Sequence, residues 1–222
     1  MNIALFGGTF DPIHSGHLEA AEAARRKFRL DRILFVPTGH PPHKSTGHLT
    51  AFEHRYAMVA LACSGRPRFI PSLLEAPSSD GRPSYSVETV RKARRMLRAR
   101  DQLYFIIGAD AFFDLPKWKD YHELLDLANF IVVSRPGFDP KTIGEIVPRD
   151  LVQGQTSPRA GRVALRRTTL HILDGMHVPL SSRQIRDAVR RGRWIAGCVA
   201  PLVRQYIRKE GLYRPARLSH EE

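Results

Sequence analysis

The amino-terminal stretch NIALFGGTFDPIHSGHLEAAEAARRKF, residues 2–28, leaves few folds open. Its apolar start over 2–6 reads as a short buried strand. Gly7 and Gly8 then permit a tight turn, or a close approach of backbone to ligand. Over 19–28 alanine, glutamate and arginine dominate, which is helix-forming composition. The same alternation continues downstream. Further strands are expected over 32–36, 69–70, 102–107, 129–133 and 170–173. Helices are expected over 51–63, 86–99, 182–191 and 199–210, with Gly192 and Gly211 as stops for the last two. Strands separated by helix-length segments predict the α/β class: a Rossmann-like, mostly parallel sheet flanked by helices, with ligands at the carboxyl ends of the strands. The loops after Phe6 and Ile107 are therefore the ones to watch.

A chain of 222 residues buries a sizeable core, and the expected division is an α/β core over 1–178 with a small carboxyl-terminal helical unit over 179–222 packed on it. Between residues 138 and 167 basic residues and glycines interrupt the pattern, and no element is assigned there. Lys and Arg number 35 against 22 Asp and Glu, a net charge of +13 that favours anionic partners without separating nucleotides from nucleic acid or anionic lipid. The two cysteines, Cys63 and Cys198, form no disulfide framework, and His40, His43 and His48 have no matched thiolates for zinc. No basic leader or membrane-length apolar run stands out, so a cytoplasmic protein with no membrane partner is expected.

The local chemistry of 7–17 points to an anion. The start of a helix offers amides that have no carbonyl of their own helix to bond. His14 and His17, three apart around that start, can face one ligand, and a neutral histidine already donates a hydrogen bond to a phosphate oxygen. Gly7, Gly8, Thr9 and Phe10 complete the candidate cradle. The glycine pair alone reads as a turn and either histidine alone as a packing residue; the combination between strand and helix carries the reading. Neither the G-x-x-x-x-G-K-[ST] loop nor the G-x-G-x-x-G fingerprint is present.

The HSGH at 14–17 resembles the signature of the class I nucleotidyltransferases that carry an HxGH motif. The longer GGTFDPIHSGH is similar to the amino-terminal motif of bacterial nicotinate-nucleotide adenylyltransferases. Later blocks extend this likeness over nearly the whole chain: PPHK at 41–44, SYSVETV at 84–90, IIGADAFFDLPKWKDYHEL at 106–124, SSRQIR at 181–186 and VAPLVRQYIRKEGLY at 199–213. Ser86 and Glu88 stand where the family has Thr and Asp, and Arg183 where it has Thr.

The resemblance implies adenylyl transfer from ATP to nicotinic acid mononucleotide, giving deamido-NAD and pyrophosphate. By the same resemblance, His14, His17, Lys44 and Arg186 meet the phosphates, with His17 at the α-phosphate, and Ser181 and Ser182 bind the ATP phosphates within the carboxyl-terminal unit. Tyr85 and Thr89 belong to the mononucleotide end, Trp118 to the nicotinate ring, and Gly108 and Asp110 to the GxD loop. Asp11 is read as ordering the first loop. An attacking phosphate is already anionic, so positioning and fixed donors replace a covalent nucleophile. Mg2+ is expected to accompany ATP, with no metal-ligating cluster in the chain. A nicotinamide mononucleotide acceptor is the enzymatic alternative, and a basic nucleic-acid-binding protein the alternative from another class, although no nucleic-acid partner is expected. A homo-oligomer remains open.

Overall fold

The structure, a computed structural model, describes residues 1–41, 49–134, 146–153, 161–175 and 180–215. Its centre is a seven-stranded sheet in the order β3-β2-β1-β4-β5-β7-β6. The strands are β1 (Asn2–Gly8), β2 (Arg32–Pro37), β3 (Phe69–Pro71), β4 (Gln102–Gly108), β5 (Asn129–Val133), β6 (Arg162–Ala164) and β7 (Thr169–Leu173). Every pairing is parallel except that of β6 with β7. The inner strands are continuous apolar runs because helices cover both of their faces. In β4, for example, Phe105, Ile106 and Ile107 are all buried.

One face is covered by α1 (Ser15–Lys27), α2 (Phe52–Cys63), α6 (Ser182–Arg190) and α7 (Pro201–Lys209). Their buried residues Ala21, Met58, Ile185 and Val203 join Phe6, Phe10 and Phe35 in one core. The opposite face is covered by α3 (Ser86–Arg95), α4 (Ala109–Phe113) and α5 (Tyr121–Leu127). There Val87, Phe112 and Leu124 close over Leu5, Phe105 and Phe130. The order reverses between β1 and β4, whose connections leave toward opposite edges of the sheet, and a crevice opens at their carboxyl ends.

Helix ends follow local chemistry. Ser181 caps α6: its hydroxyl accepts from the Gln184 amide at 3.3 Å, while Gln184 Oε1 accepts from the Ser181 amide at 2.8 Å. This is the reciprocal box that the SSRQ spacing permits. Pro201 opens α7, and Gly192 and Gly211 take positive φ of 67° and 64° just beyond α6 and α7. Helix α3 ends at Arg95, short of the expected residue 99. Asp101 accounts for the early stop, accepting from the Arg98 amide at 3.0 Å and from the terminal ammonium at 2.7 Å. Strand β6 and helices α4 and α5 carry no clear periodicity in the sequence and emerge only in the fold.

His171 on β7 is half-buried, with its ring 4.9 Å from Phe28. Burial, helped by the nearby cations Arg162 and Lys27, pushes its pKa down to about 4. The imidazole is therefore neutral when folded but protonates near 6.5 when unfolded. Its stabilising contribution is complete above that value and is lost as pH falls toward 4. After allowance for partial exposure, about 1–2 kcal/mol is expected to disappear across the window. His171→Phe should accordingly lose less melting temperature than wild type between pH 7 and pH 4.5. Equal losses would remove His171 as a cause of acid sensitivity.

Candidate active site

Two groups of residues approach the carboxyl end of β1, one from each face of the sheet. On the α1 side, His14 adopts extended torsions (φ −139°, ψ 171°) and caps the helix. Its amide donates to His17 Nδ1 at 3.2 Å, and the two imidazoles stack with centroids 3.7 Å apart. The His17 ring also meets Phe10 edge-on at 5.1 Å and Phe6 at 6.0 Å. Because Nδ1 accepts, the proton of neutral His17 belongs on Nε2. The backbone thus fixes a donor of defined direction. Three amides at the start of α1 are already engaged, that of His14 with the His17 ring, that of Ser15 with the Cys198 carbonyl at 2.9 Å and that of His17 with the His14 carbonyl at 3.0 Å. The side chains consequently carry more of the anion chemistry than the helix end alone would.

The first loop is tied down from several directions. Asp11 is buried; its carboxylate accepts from Tyr213 Oη at 2.7 Å and from the Thr50 amide at 3.3 Å. Arg186 Nη1 donates to the Asp11 carbonyl at 2.6 Å and lies 4.0 Å from its Oδ2. Ser182 Oγ donates to the Pro12 carbonyl at 2.9 Å. The start of α6 is therefore docked on the loop that leads to both histidines. Burial and the Asp11 carboxylate push the Tyr213 hydroxyl well above its usual pKa, so it stays a donor. The unusual torsion of this loop belongs to Phe10, at φ 50°, rather than to either glycine. Gly8 is restricted instead by space, since a Cβ there would come within 3.1 Å of the Phe10 ring.

On the α3 side lies a cavity of about 450 Å³. Gly7, Gly8 and Thr9 form the end shared with the first loop, while Tyr85 and Ser86 at the start of α3, and Trp118, form the walls. Trp118 is half-buried and edge-on to Phe105 at 6.5 Å. Lys119 stands 4.4 Å over the Tyr85 ring and pairs with Glu88 at 2.8 Å, which gives Glu88 a local role at this wall.

The residues singled out from sequence thus divide. Gly7, Gly8, Thr9, Tyr85, Gly108 and Trp118 line the cavity. His14, His17, Ser182 and Arg186 gather around the first loop, with Ser181 as the cap of α6 and Phe10 buried beneath His17. Thr89 is buried beside the cavity with its hydroxyl directed to Glu75 at 2.7 Å, and Asp110 is exposed on α4. Lys44, with His43, lies outside the described residues.

Two buried ionisable residues escaped the sequence reading. Arg55 on α2 is 1% exposed, and its guanidinium donates to the carbonyls of Thr50 at 2.8 Å, Thr9 at 2.9 Å and Thr38 at 2.7 Å. It joins the loops that follow β1 and β2. Glu75 lines the cavity, and burial raises its carboxyl pKa against the opposing hydrogen bonds of Thr89 and Thr38. Both sit in segments whose local pattern is that of an ordinary helix or loop. Only tertiary hydrogen bonding distinguishes them. Among the described residues, no group of three His, Cys, Asp or Glu side chains is placed to hold a metal, and no helix is long and apolar enough to cross a membrane.

Comparison with known proteins follows the same lines. Residues 5–188 match the model of the cytidylyltransferase-like family. A protein of Moorella thermoacetica named "Probable nicotinate-nucleotide adenylyltransferase" is 40% identical, the match covering 96% of this chain and 92% of that one. A protein of Solibacter usitatus with the same name is 38% identical, over 96% of this chain and 100% of its own. Among solved structures, the Plasmodium falciparum nicotinic acid mononucleotide adenylyltransferase complexed with NaAD superposes with a TM-score of 0.70 at 20% identity, over 96% of this chain and 97% of that one. At that identity the likeness speaks for the fold.

Proposed function

This chain belongs to the cytidylyltransferase-like family, and we infer that it transfers an adenylyl group from ATP to nicotinic acid mononucleotide, giving deamido-NAD and pyrophosphate in NAD biosynthesis. The observation that carries this reading is the two-sided arrangement over the end of β1. An acceptor-sized cavity opens on the α3 face, the histidine and arginine group gathers on the α1 face, and Gly7–Thr9 form the seam between them. Two anionic substrates entering from opposite faces would meet there with their phosphates adjacent.

In the reaction a phosphate oxygen of the mononucleotide forms a bond to the α-phosphorus of ATP. The bond from that phosphorus to the oxygen bridging to the β-phosphorus breaks, and pyrophosphate leaves with the electron pair. No proton need be removed from the nucleophile. The Nε2–H of His17, oriented through Nδ1, would donate to the α-phosphate oxygen on which charge grows. His14 holds that ring in place by its amide and by stacking. Arg186, in the middle of α6, would offer to the leaving phosphates the guanidinium donors that its bond to the Asp11 carbonyl leaves over. Trp118 and Tyr85 would hold the pyridine ring, with the opening amides of α3 toward its carboxylate. Lys44 is assigned to the phosphates through the PPHK block alone. Mg2+ carried on the triphosphate would neutralise part of its charge; the donor set around the first loop suits phosphate oxygens rather than a cation, because the Asp11 carboxylate already serves Tyr213 and Thr50.

Pyrophosphate release by the purified protein with ATP and Mg2+ tests the assignment. Nicotinic acid mononucleotide should support turnover with kcat/KM at least about tenfold above that of nicotinamide mononucleotide, the order of discrimination that one substituent in a shaped pocket provides. Preference for the amide would reassign the acceptor. Absence of acceptor-dependent pyrophosphate would remove adenylyl transfer altogether.

A further inference from the structure

Glu75 is a costly residue for the wall of a cavity that is to receive an anion. A buried carboxyl group needs hydrogen-bond partners, and here two hydroxyls supply them. Thr89 Oγ1 donates to Glu75 Oε1 at 2.7 Å, and Thr38, the first residue after β2, bonds to the same carboxyl group. The backbone around Glu75 is equally constrained. A Cβ on Gly39 would stand 2.1 Å from the Glu75 carbonyl oxygen, so the loop after β2 packs directly against it. That loop is in turn held by Arg55, through the carbonyls of Thr38 at 2.7 Å and Gly39 at 3.4 Å.

Thr89 lies in the first turn of α3, where its amide donates to the Tyr85 carbonyl at 3.1 Å and its hydroxyl, with its single proton on the shorter bond to Glu75, stands 3.3 Å from that carbonyl. Tyr85 and Ser86 at the same turn form the cavity wall. Glu75 is thus the joint between the β2 loop, which is tied to the first loop through Arg55, and the helix start that faces the acceptor. We propose that Glu75 is a specificity-determining positioning residue: through Thr89 it sets where the opening amides of α3 stand, and so how well the pocket separates a ring carboxylate from a ring carboxamide. The inference rests on the acceptor assignment made above.

Loss of this joint should affect one substrate and spare the other. In steady-state pyrophosphate assays Glu75→Ala and Thr89→Val should each raise KM for nicotinic acid mononucleotide about tenfold, as expected when a buried hydrogen bond is lost and its partner left unsatisfied. KM for ATP and kcat should stay within about twofold. The preference for the nicotinate over the nicotinamide acceptor should fall by a similar factor, whereas general loosening would weaken both acceptors alike. Glu75→Gln, which keeps an oxygen acceptor for Thr89, should remain within about threefold of wild type, and it folds with the smallest disturbance. Glu75→Ala combined with Thr89→Val should be no worse than the more severe single variant. Additive effects, an equal rise in KM for ATP, or unchanged acceptor preference in both Glu75→Ala and Thr89→Val would overturn the proposal. Wild-type turnover in the same assays reports separately on the acceptor assignment, and without it the role of Glu75 falls as well.

Discussion

His17→Ala is expected to lower kcat by about 10²–10³-fold, the usual cost of removing one fixed donor from charge that develops in a transition state. The geometry makes the expectation specific. His17 Nδ1 is occupied by the His14 amide at 3.2 Å, so the only ring proton of the neutral side chain sits on Nε2. Stacking on His14 and edge contacts with Phe6 and Phe10 leave the ring little rotational freedom. Such a donor does not have to reorient when the α-phosphate passes through its loosened state, which is why its loss should appear in kcat more than in KM for ATP. His17 is only half-buried, so the variant should keep its fold; a melting temperature within a few degrees of wild type would establish that. A variant that turns over at the wild-type rate would take His17 out of the chemical step and leave Arg186 as the principal contact on that side.

Arg55→Ala should destabilise the protein by about 3–5 kcal/mol, read as a shift in the denaturant midpoint at constant slope. Arg55 is buried among carbonyls of the two loops that border the site. Burial pushes its pKa down, but an arginine starts so high that it remains a cation, with the Asp11 carboxylate as its foremost favourable charge. Truncation would leave four carbonyls, those of Thr50, Thr9, Thr38 and Gly39, without their donor and open a void the size of the side chain. Arg55→Lys should restore little, because one ammonium cannot reach carbonyls that radiate in several directions. A loss below about 1 kcal/mol would mean that water replaces the guanidinium readily, and that the loops hold their shape without it.

These two residues mark what is legible in this sequence and what is not. The His14–His17 pair is a local spacing across a strand-to-helix junction, and local spacing survives in the one-dimensional string. The inner parallel strands are equally plain, since burial on both faces writes them as unbroken apolar runs such as LYFIIG at 103–108. The Ser181–Gln184 cap is readable for the same reason. Arg55, in FEHRYAMV, looks like any solvated arginine of an amphipathic helix, because its partners come from residues 9, 38, 39 and 50. Glu75, in SLLEAP, has nothing beside it to announce Thr89. Strand β6 is three residues long and exists by virtue of its antiparallel partner β7, so no periodicity could reveal it. The overextension of α3 to residue 99 has the same origin: propensity ran on, and the contact of Asp101 with the terminal ammonium stopped it.

The Tyr213–Asp11 hydrogen bond spans 202 positions of the chain. Contacts of such long range close late, because the intervening segment must already be compact before its ends can meet. A nascent polypeptide can therefore assemble most of its sheet on the ribosome while the loop carrying Phe10 and Asp11 still lacks its last anchor. Competence to handle nucleotides therefore waits for the segment that carries Tyr213, after the scaffold has formed.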